Sequence, residues 1–252
     1  MQRSNWHWDR KTEEGFQAAV QAIDQAISLS PNLAYLYGHK ARVLFTQTMY
    51  GFTDNPQENI ALALTAAKQG MLLDPRDPVV RVGHARVMIA TGDADLALQD
   101  THAAIQANPN MSEAYMVRGV VLHSGLGQPE AAIEAFDTAM RLSPRDPMGW
   151  ISLFMRGSAL RLMGRYEEAV ASCRKACMYP VKGHLPLTHL AAAEAAAGNL
   201  DRAEKALEAA RLAQPKLSVA FLREALRNFN EKHRESLLAE LRKAGLPETA
   251  NA

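Results

Sequence analysis

The chain has 252 residues, 48% of them hydrophobic and 22% charged, with 28 basic against 27 acidic side chains. That balance excludes bulk electrostatic attraction to nucleic acid or to an anionic membrane, so a partner has to be recognised by a local surface. The first residues, "MQRSNWHWDRKTEEGF", carry charges where a secretory signal needs an apolar run. No stretch supplies the ~18 uninterrupted apolar residues of a membrane span, which reads as a cytoplasmic protein.

Abundant alanine and the lack of β-branched alternation predict an all-α chain. Prolines closing apolar runs fall at Pro31, Pro75, Pro109, Pro144, Pro180 and Pro215, at intervals of 44, 34, 35, 36 and 35 residues. In register with them run Ala19, Ala63, Ala97, Ala132, Ala169 and Ala203, then Ala26, Gly70, Ala104, Ala139, Ala176 and Ala210. A third small column holds Ala41, Ala85, Gly119, Gly157 and Ala191. Small side chains on one face let helices approach closely. Turn glycines follow at Gly92, Gly127, Gly164 and Gly198, so each unit is predicted as helix A, tight turn, helix B, proline.

In chain order, residues 1–31 form a partial first unit, a polar lead-in before the helix B of "GFQAAVQAIDQAISLSP". Its apolar face is expected either to be covered by Trp6 and Trp8 or to pair with a second copy of the chain. The unit 32–75 has helix A "AYLYGHKARVLF" and helix B "IALALTAAKQGMLLDP", with an inserted loop, "QTMYGFTDNPQEN", between them. Long loops in repeat proteins are often functional, and this one, over 48–59, is a secondary candidate for binding. Units 76–109, 110–144, 145–180 and 181–215 follow, and the charged helices of 216–248 suit a solvating cap.

The pattern resembles the tetratricopeptide repeat, with "GRYEEAVASCRKACMYP", "GQPEAAIEAFDTAMRLSP" and "GNLDRAEKALEAARLAQP" as its clearest copies. The resemblance implies one array over 1–252: a right-handed α-solenoid of stacked hairpins, closed by a C-terminal capping helix pair. A closer likeness rests on the "TEEGF" entry, "DNP", "DPRDP", "SPRDP", "GRYEEAV" and the ending "LRKAGLPE". These phrases look like the tetratricopeptide region that follows the catalytic domain of many bacterial class III adenylate/guanylate cyclases. The catalytic domain has no counterpart here, so this resemblance implies a regulatory array and not a cyclase.

No P-loop, dinucleotide fingerprint, HExxH or GxSxG is present, and neither catalytic residues nor a cofactor are expected. Cys173 and Cys177 lie one turn apart and fall in columns of packing residues, where free cysteine acts as a small hydrophobe in a reducing compartment. His184 and His189 are five residues apart, off the spacing that offers two ligands on one helix face. A metal site with the cysteines is the competing reading.

The resemblance places helix A of each unit along a concave groove. Groove-facing positions are Tyr35, Arg42 and Phe45, then Val79, Val82, Arg86 and Ile89. The next two units add Glu113, Met116, Val120 and His123, then Phe154, Ser158 and Arg161. Arg42 and Arg86 hold equivalent places in consecutive units, and two stacked guanidinium groups beside aromatic surface can grip a carboxylate by paired hydrogen bonds. The alternative is that each pairs with a neighbouring acidic residue. Where chaperone-binding arrays carry lysines and asparagines, this chain has Tyr35, Gly38, His39, Arg42 and Val79, Val82, Gly83, Arg86, so their carboxylate clamp is not expected.

The functional expectation is a non-catalytic scaffold that binds a protein or peptide segment in its groove, regulatory in bacterial signalling. The alternatives are a separately encoded regulatory subunit or detached sensory half of a nucleotide cyclase system, and a metal- or thiol-dependent enzyme. Self-association is a further expectation; nucleic acid and membrane are not expected partners.

Overall fold

The computed structural model describes residues 12–180 and 183–250. Trp6 and Trp8 lie outside the described residues. Thirteen α-helices and one π-helical turn are found, with no strand among the described residues. The chain divides into two compact units, the first ending at Val117 and the second beginning at Arg118.

The first unit contains α1 (Glu13–Leu29), α2 (Ala34–Tyr50), α3 (Pro56–Leu73), α4 (Pro78–Thr91), α5 (Ala94–Ala107) and the start of α6 (Ser112–Val120). Successive helices pack as antiparallel hairpins, and α2 also packs on α4, A helix against A helix. Starts are set by side-chain caps: Thr12 accepts from the Gly15 N–H, and Asp77 accepts from Val79 and Val80. Pro56 and Pro78 open their helices, where a missing N–H costs nothing. Gly51 and Gly92 end α2 and α4 in the left-handed region, at φ 73° and 94°.

The inserted segment is mostly helical. α2 runs on to Tyr50 and α3 starts at Pro56, because Gly51 can terminate the one and Asn55 caps the other through the Glu58 N–H. The connecting loop is therefore only 51–55. Buried Asn59 ties the lengthened hairpin together, donating to the Leu44 carbonyl at 2.9 Å and to Thr48 Oγ1 at 3.0 Å.

Glycines mark close approaches between helices, and one of them, Gly157, belongs to the third small column. A Cβ on Gly83 would stand 2.5 Å from the Gly38 carbonyl oxygen, and one on Gly157 would collide with Cys173 Sγ. Gly83→Ala is expected to cost about 1–3 kcal/mol by forcing α2 and α4 apart. Urea unfolding measures it, and an unchanged midpoint would contradict the close approach.

The second unit continues with the π turn Val121–Gly125, α7 (Pro129–Leu142), α8 (Gly149–Leu162), α9 (Tyr166–Cys177), α10 (Leu185–Ala196) and α11 (Leu200–Ala213). Two further helices, α12 (Val219–Ala225) and α13 (Glu231–Lys243), close it. α13 packs on α10, and its Leu237, Leu238 and Leu241 are buried with Leu207, Leu217 and Val219 in one apolar cluster. The "LRKAGLPE" phrase clasps the start of α12. The Pro247 and Glu248 carbonyls accept from the Val219 and Ala220 N–H groups, which have no acceptor within the helix, and Arg242 forks onto the Glu248 carboxylate.

Candidate functional site

Three charged residues of the first unit converge from three helices. Arg42 on α2 donates from Nη1 to Glu113 Oε2 at 2.7 Å, and Arg86 on α4 donates from Nη2 to Oε1 of the same carboxylate at 2.9 Å. Arg42 Nη2 also donates to His39 Nδ1 at 2.8 Å. A guanidinium has no acceptor, so His39 is the neutral tautomer with its proton on Nε2. The Tyr35 ring stacks on His39 with centroids 6.1 Å apart, and the Arg86 guanidinium lies over Phe45 at 5.8 Å.

The charges act on one another strongly. Burial favours the protonated form of Glu113, but the charges and hydrogen bonds of Arg42 and Arg86 outweigh it and hold the carboxyl at about 2. Burial, reinforced by the Arg42 charge, pulls His39 down to about 3. Two guanidinium groups and one carboxylate leave the trio with one net positive charge.

Of the proposed groove positions, Tyr35, Arg42, Phe45, Val79, Glu113 and Val120 are half-buried. Val82, Arg86, Ile89, Met116, His123, Phe154, Ser158 and Arg161 are buried. The structure brings Arg42, Arg86, Glu113 and Phe45 into one cluster, and both arginines already hold a carboxylate of this chain.

A second cluster lies wholly in the second unit, where α13 covers residues expected to be accessible. The π turn directs His123 inward, and its Nε2 meets Ser158 Oγ at 3.0 Å. The His123 ring is 4.9 Å from that of His233 on α13, and Phe154 is 4.8 Å from His189 on α10. Arg161 donates from Nη1 to Ser236 Oγ at 2.9 Å. A cavity of about 40 Å³ beside these groups is lined by His123, Ser158, His189, His233, Phe229 and Leu237, among others. His123, Phe154, Ser158 and Arg161 thus face the chain's own C-terminal segment. Burial lowers His123 and His189, the latter to about 3, with nearby positive charge adding to the effect.

Residues 82–147 and 122–181 match the tetratricopeptide repeat family. Together the two matches span residues 82–181. Among solved structures the chain is similar to PilW, described as a widely conserved type IV pilus biogenesis factor, with 18% identity and a TM-score of 0.59 over 80% of this chain and 92% of that one. It is similar to PilF of Pseudomonas aeruginosa, with 17% identity and a TM-score of 0.57 over 85% of this chain and 90% of the other. It is also similar to TTC0263, a thermophilic TPR protein of Thermus thermophilus, with 22% identity and a TM-score of 0.56 over 79% and 99%. At these identities the likeness speaks for the fold, an all-α solenoid of helical hairpins. No curated protein matches the chain.

Both cysteines lie on α9, at packing places. Cys173 is fully buried against Gly157, and burial pushes its thiol up; Cys177 is raised to about 11 for the same reason. A thiol nucleophile needs a shift in the opposite direction. No group of three or more His, Cys, Asp or Glu side chains among the described residues could hold a metal. No described helix is long and apolar enough to cross a membrane.

Sequence reasoning missed His189 and His233 as partners of His123. It also missed Asp100, a fully buried carboxylate on α5 that accepts from Arg81 at 2.6 Å and sits 2.5 Å from His84 Nδ1. The spacing of Arg81 and His84, one turn of α4 facing the next helix of the same repeat, was the available signal.

Proposed function

We propose that the protein is a non-catalytic interaction scaffold that binds a segment of a partner protein on the helix-A surface of its first unit. The observation that carries this reading is the convergence of Arg42 and Arg86 on one carboxylate, beside Tyr35 and Phe45, on a half-buried face with one net positive charge. Such a face fits an acidic segment with an aromatic or aliphatic flank, which takes over or shares the guanidinium groups that Glu113 now occupies. Tetratricopeptide repeats are interaction modules, which supports the general class. Regulation in bacterial signalling from the cytoplasm is the finer proposal, supported by the cyclase-like phrases of the sequence; adding the chain to a nucleotide cyclase and reading its turnover tests that link.

The binding reading is tested by capture from the host extract with wild type beside Arg42→Gln/Arg86→Gln, followed by mass spectrometry. Neutral glutamine is preferred to charge reversal, which would set three carboxylates together at Glu113. A partner lost only from the variant, with helicity unchanged, is the expected outcome. Identical capture by both would remove the arginines from the site.

A further inference from the structure

The sequence of α10, "LPLTHLAAAEAA", buries a run of alanines, among them Ala191, Ala192 and Ala195. Methyl-sized side chains leave a shallow trough that larger ones from another helix can fill. α13 fills it with Leu237, Leu238 and Leu241, which share one buried cluster with those alanines. Residues three and four apart stand on one helix face, so the three leucines form a ridge, with exposed Lys232, Ala239 and Lys243 on the opposite side.

The same helix reaches all three helix-A elements of the second unit. At its start the Asn230 N–H donates to the Ser124 carbonyl of the π turn at 2.6 Å, and Ser236, midway, accepts from Arg161 of α8. Among the described residues the Asn230–Ser124 bond is the one backbone hydrogen bond from α13 to the repeats; the far end of the segment is tied to α12 instead, through the Pro247 and Glu248 carbonyls. The seam is also incompletely filled. The cavity of about 40 Å³ lies within it, with His123, Met155 and His189 of the repeats on one side and Phe229, His233 and Leu237 on the other. Nδ1 of each of these three histidines is buried without a hydrogen-bond partner among the described residues. A core element that never leaves its place fills such space and satisfies such groups, whereas a seam lacking both opens at less cost than the whole fold.

We propose that α13 is the internal occupant of a helix-binding groove on the second unit, and that the groove takes in its place an amphipathic helix of a partner protein, with leucines at the spacing of Leu237, Leu238 and Leu241. The groove is separate from the Arg42–Glu113–Arg86 cluster and does not depend on the function proposed for it. Because α13 is tethered, it competes at a high local concentration, and a partner's apparent affinity is reduced by the fraction of molecules in which α13 is released. The contact is therefore autoinhibitory.

Native-state hydrogen exchange on the full-length wild-type chain, in low denaturant, is the first test. The expected result is that α13 amides exchange through an opening at least about tenfold more frequent than that of α8 and α10. A single opening shared by all three helices overturns the proposal, and this arm needs no variant to fold. The second test measures, by fluorescence anisotropy, binding of a labelled peptide of residues 229–248 to the full-length wild type and to Leu238→Glu/Leu241→Glu. Saturable binding at least about tenfold tighter to the variant, lost when the peptide carries the same two glutamates, is expected. Equal binding to both proteins, or none to a variant that keeps its repeat helices protected, overturns the groove. A peptide with Lys232→Ala and Lys243→Ala should bind as well as the native one, because the leucine ridge is what the groove reads; its failure overturns that chemistry. Sedimentation of the wild type covers the remaining occupant. A dimer that disappears in Leu238→Glu/Leu241→Glu assigns the groove to α13 of a second copy and overturns the partner helix.

Discussion

Glu113→Ala is expected to destabilise the first unit by about 3–5 kcal/mol, the usual cost of removing one member of a buried ion cluster and leaving like charges behind. Arg86 is buried, and the loss of Glu113 leaves it facing Arg42 with no carboxylate between them. Arg42 is partly exposed, and solvent screening places the cost nearer the lower figure. Glu113→Gln keeps one acceptor and costs less. Urea unfolding, with the two units' transitions resolved, measures both. A loss below about 1 kcal/mol for the alanine variant would mean that water screens the arginines and that the trio is not a rigid element.

Acidification is expected to unfold the chain through its buried histidines. His39 is fully buried, and its value of about 3 when folded lies below the ordinary 6.5. As pH falls below that ordinary value the unfolded chain takes up a proton that folded His39 refuses, so its contribution is complete above 6.5 and declines toward 3. By about pH 4.5 this single group removes on the order of 2–3 kcal/mol, a large share of a typical total of about 5–15 kcal/mol. His123 and His189 act with the same sign in the second unit. Glu113, held at about 2, adds stability above its ordinary 4.5 that is lost as pH falls toward 2, again the same direction. Urea midpoints should fall with increasing steepness from about pH 7 to about pH 5, and His39→Gln should flatten the first unit's slope by about 1 kcal/mol per pH unit on average over that range. A slope unchanged in that variant would contradict a neutral buried His39.

The repeat was legible because it is steric. Gly157 stands where a cysteine sulfur leaves no room for a Cβ, and its column of small residues, Ala41, Ala85, Gly119 and Ala191, recurs at the period of the fold. The pairing of Arg42 and Arg86 with Glu113 was visible only as one of two readings. Its members are 71 and 27 residues from Glu113, and nothing local distinguishes a carboxylate that caps a helix start from one that crosses to two others. The return of α13 over the residues around His123 and Arg161 was not legible. Its glutamates and lysines look like a solvent-facing cap, while the three leucines that bind it to the repeats occupy only part of a short helix. The insertion in the second repeat was read as a loop because proline and glycine punctuate it, and those two residues instead start one helix and end the other.

The central claim, that Arg42 and Arg86 recognise an acidic segment on the first unit, is tested most directly by panning a random peptide library on the wild-type protein and on Arg42→Gln/Arg86→Gln in parallel. The account predicts that peptides enriched on wild type carry an aspartate, a glutamate or a terminal carboxylate beside an aromatic or aliphatic residue, and that the variant fails to enrich them. Enrichment of peptides without a carboxylate, or equal enrichment on both proteins, would contradict it.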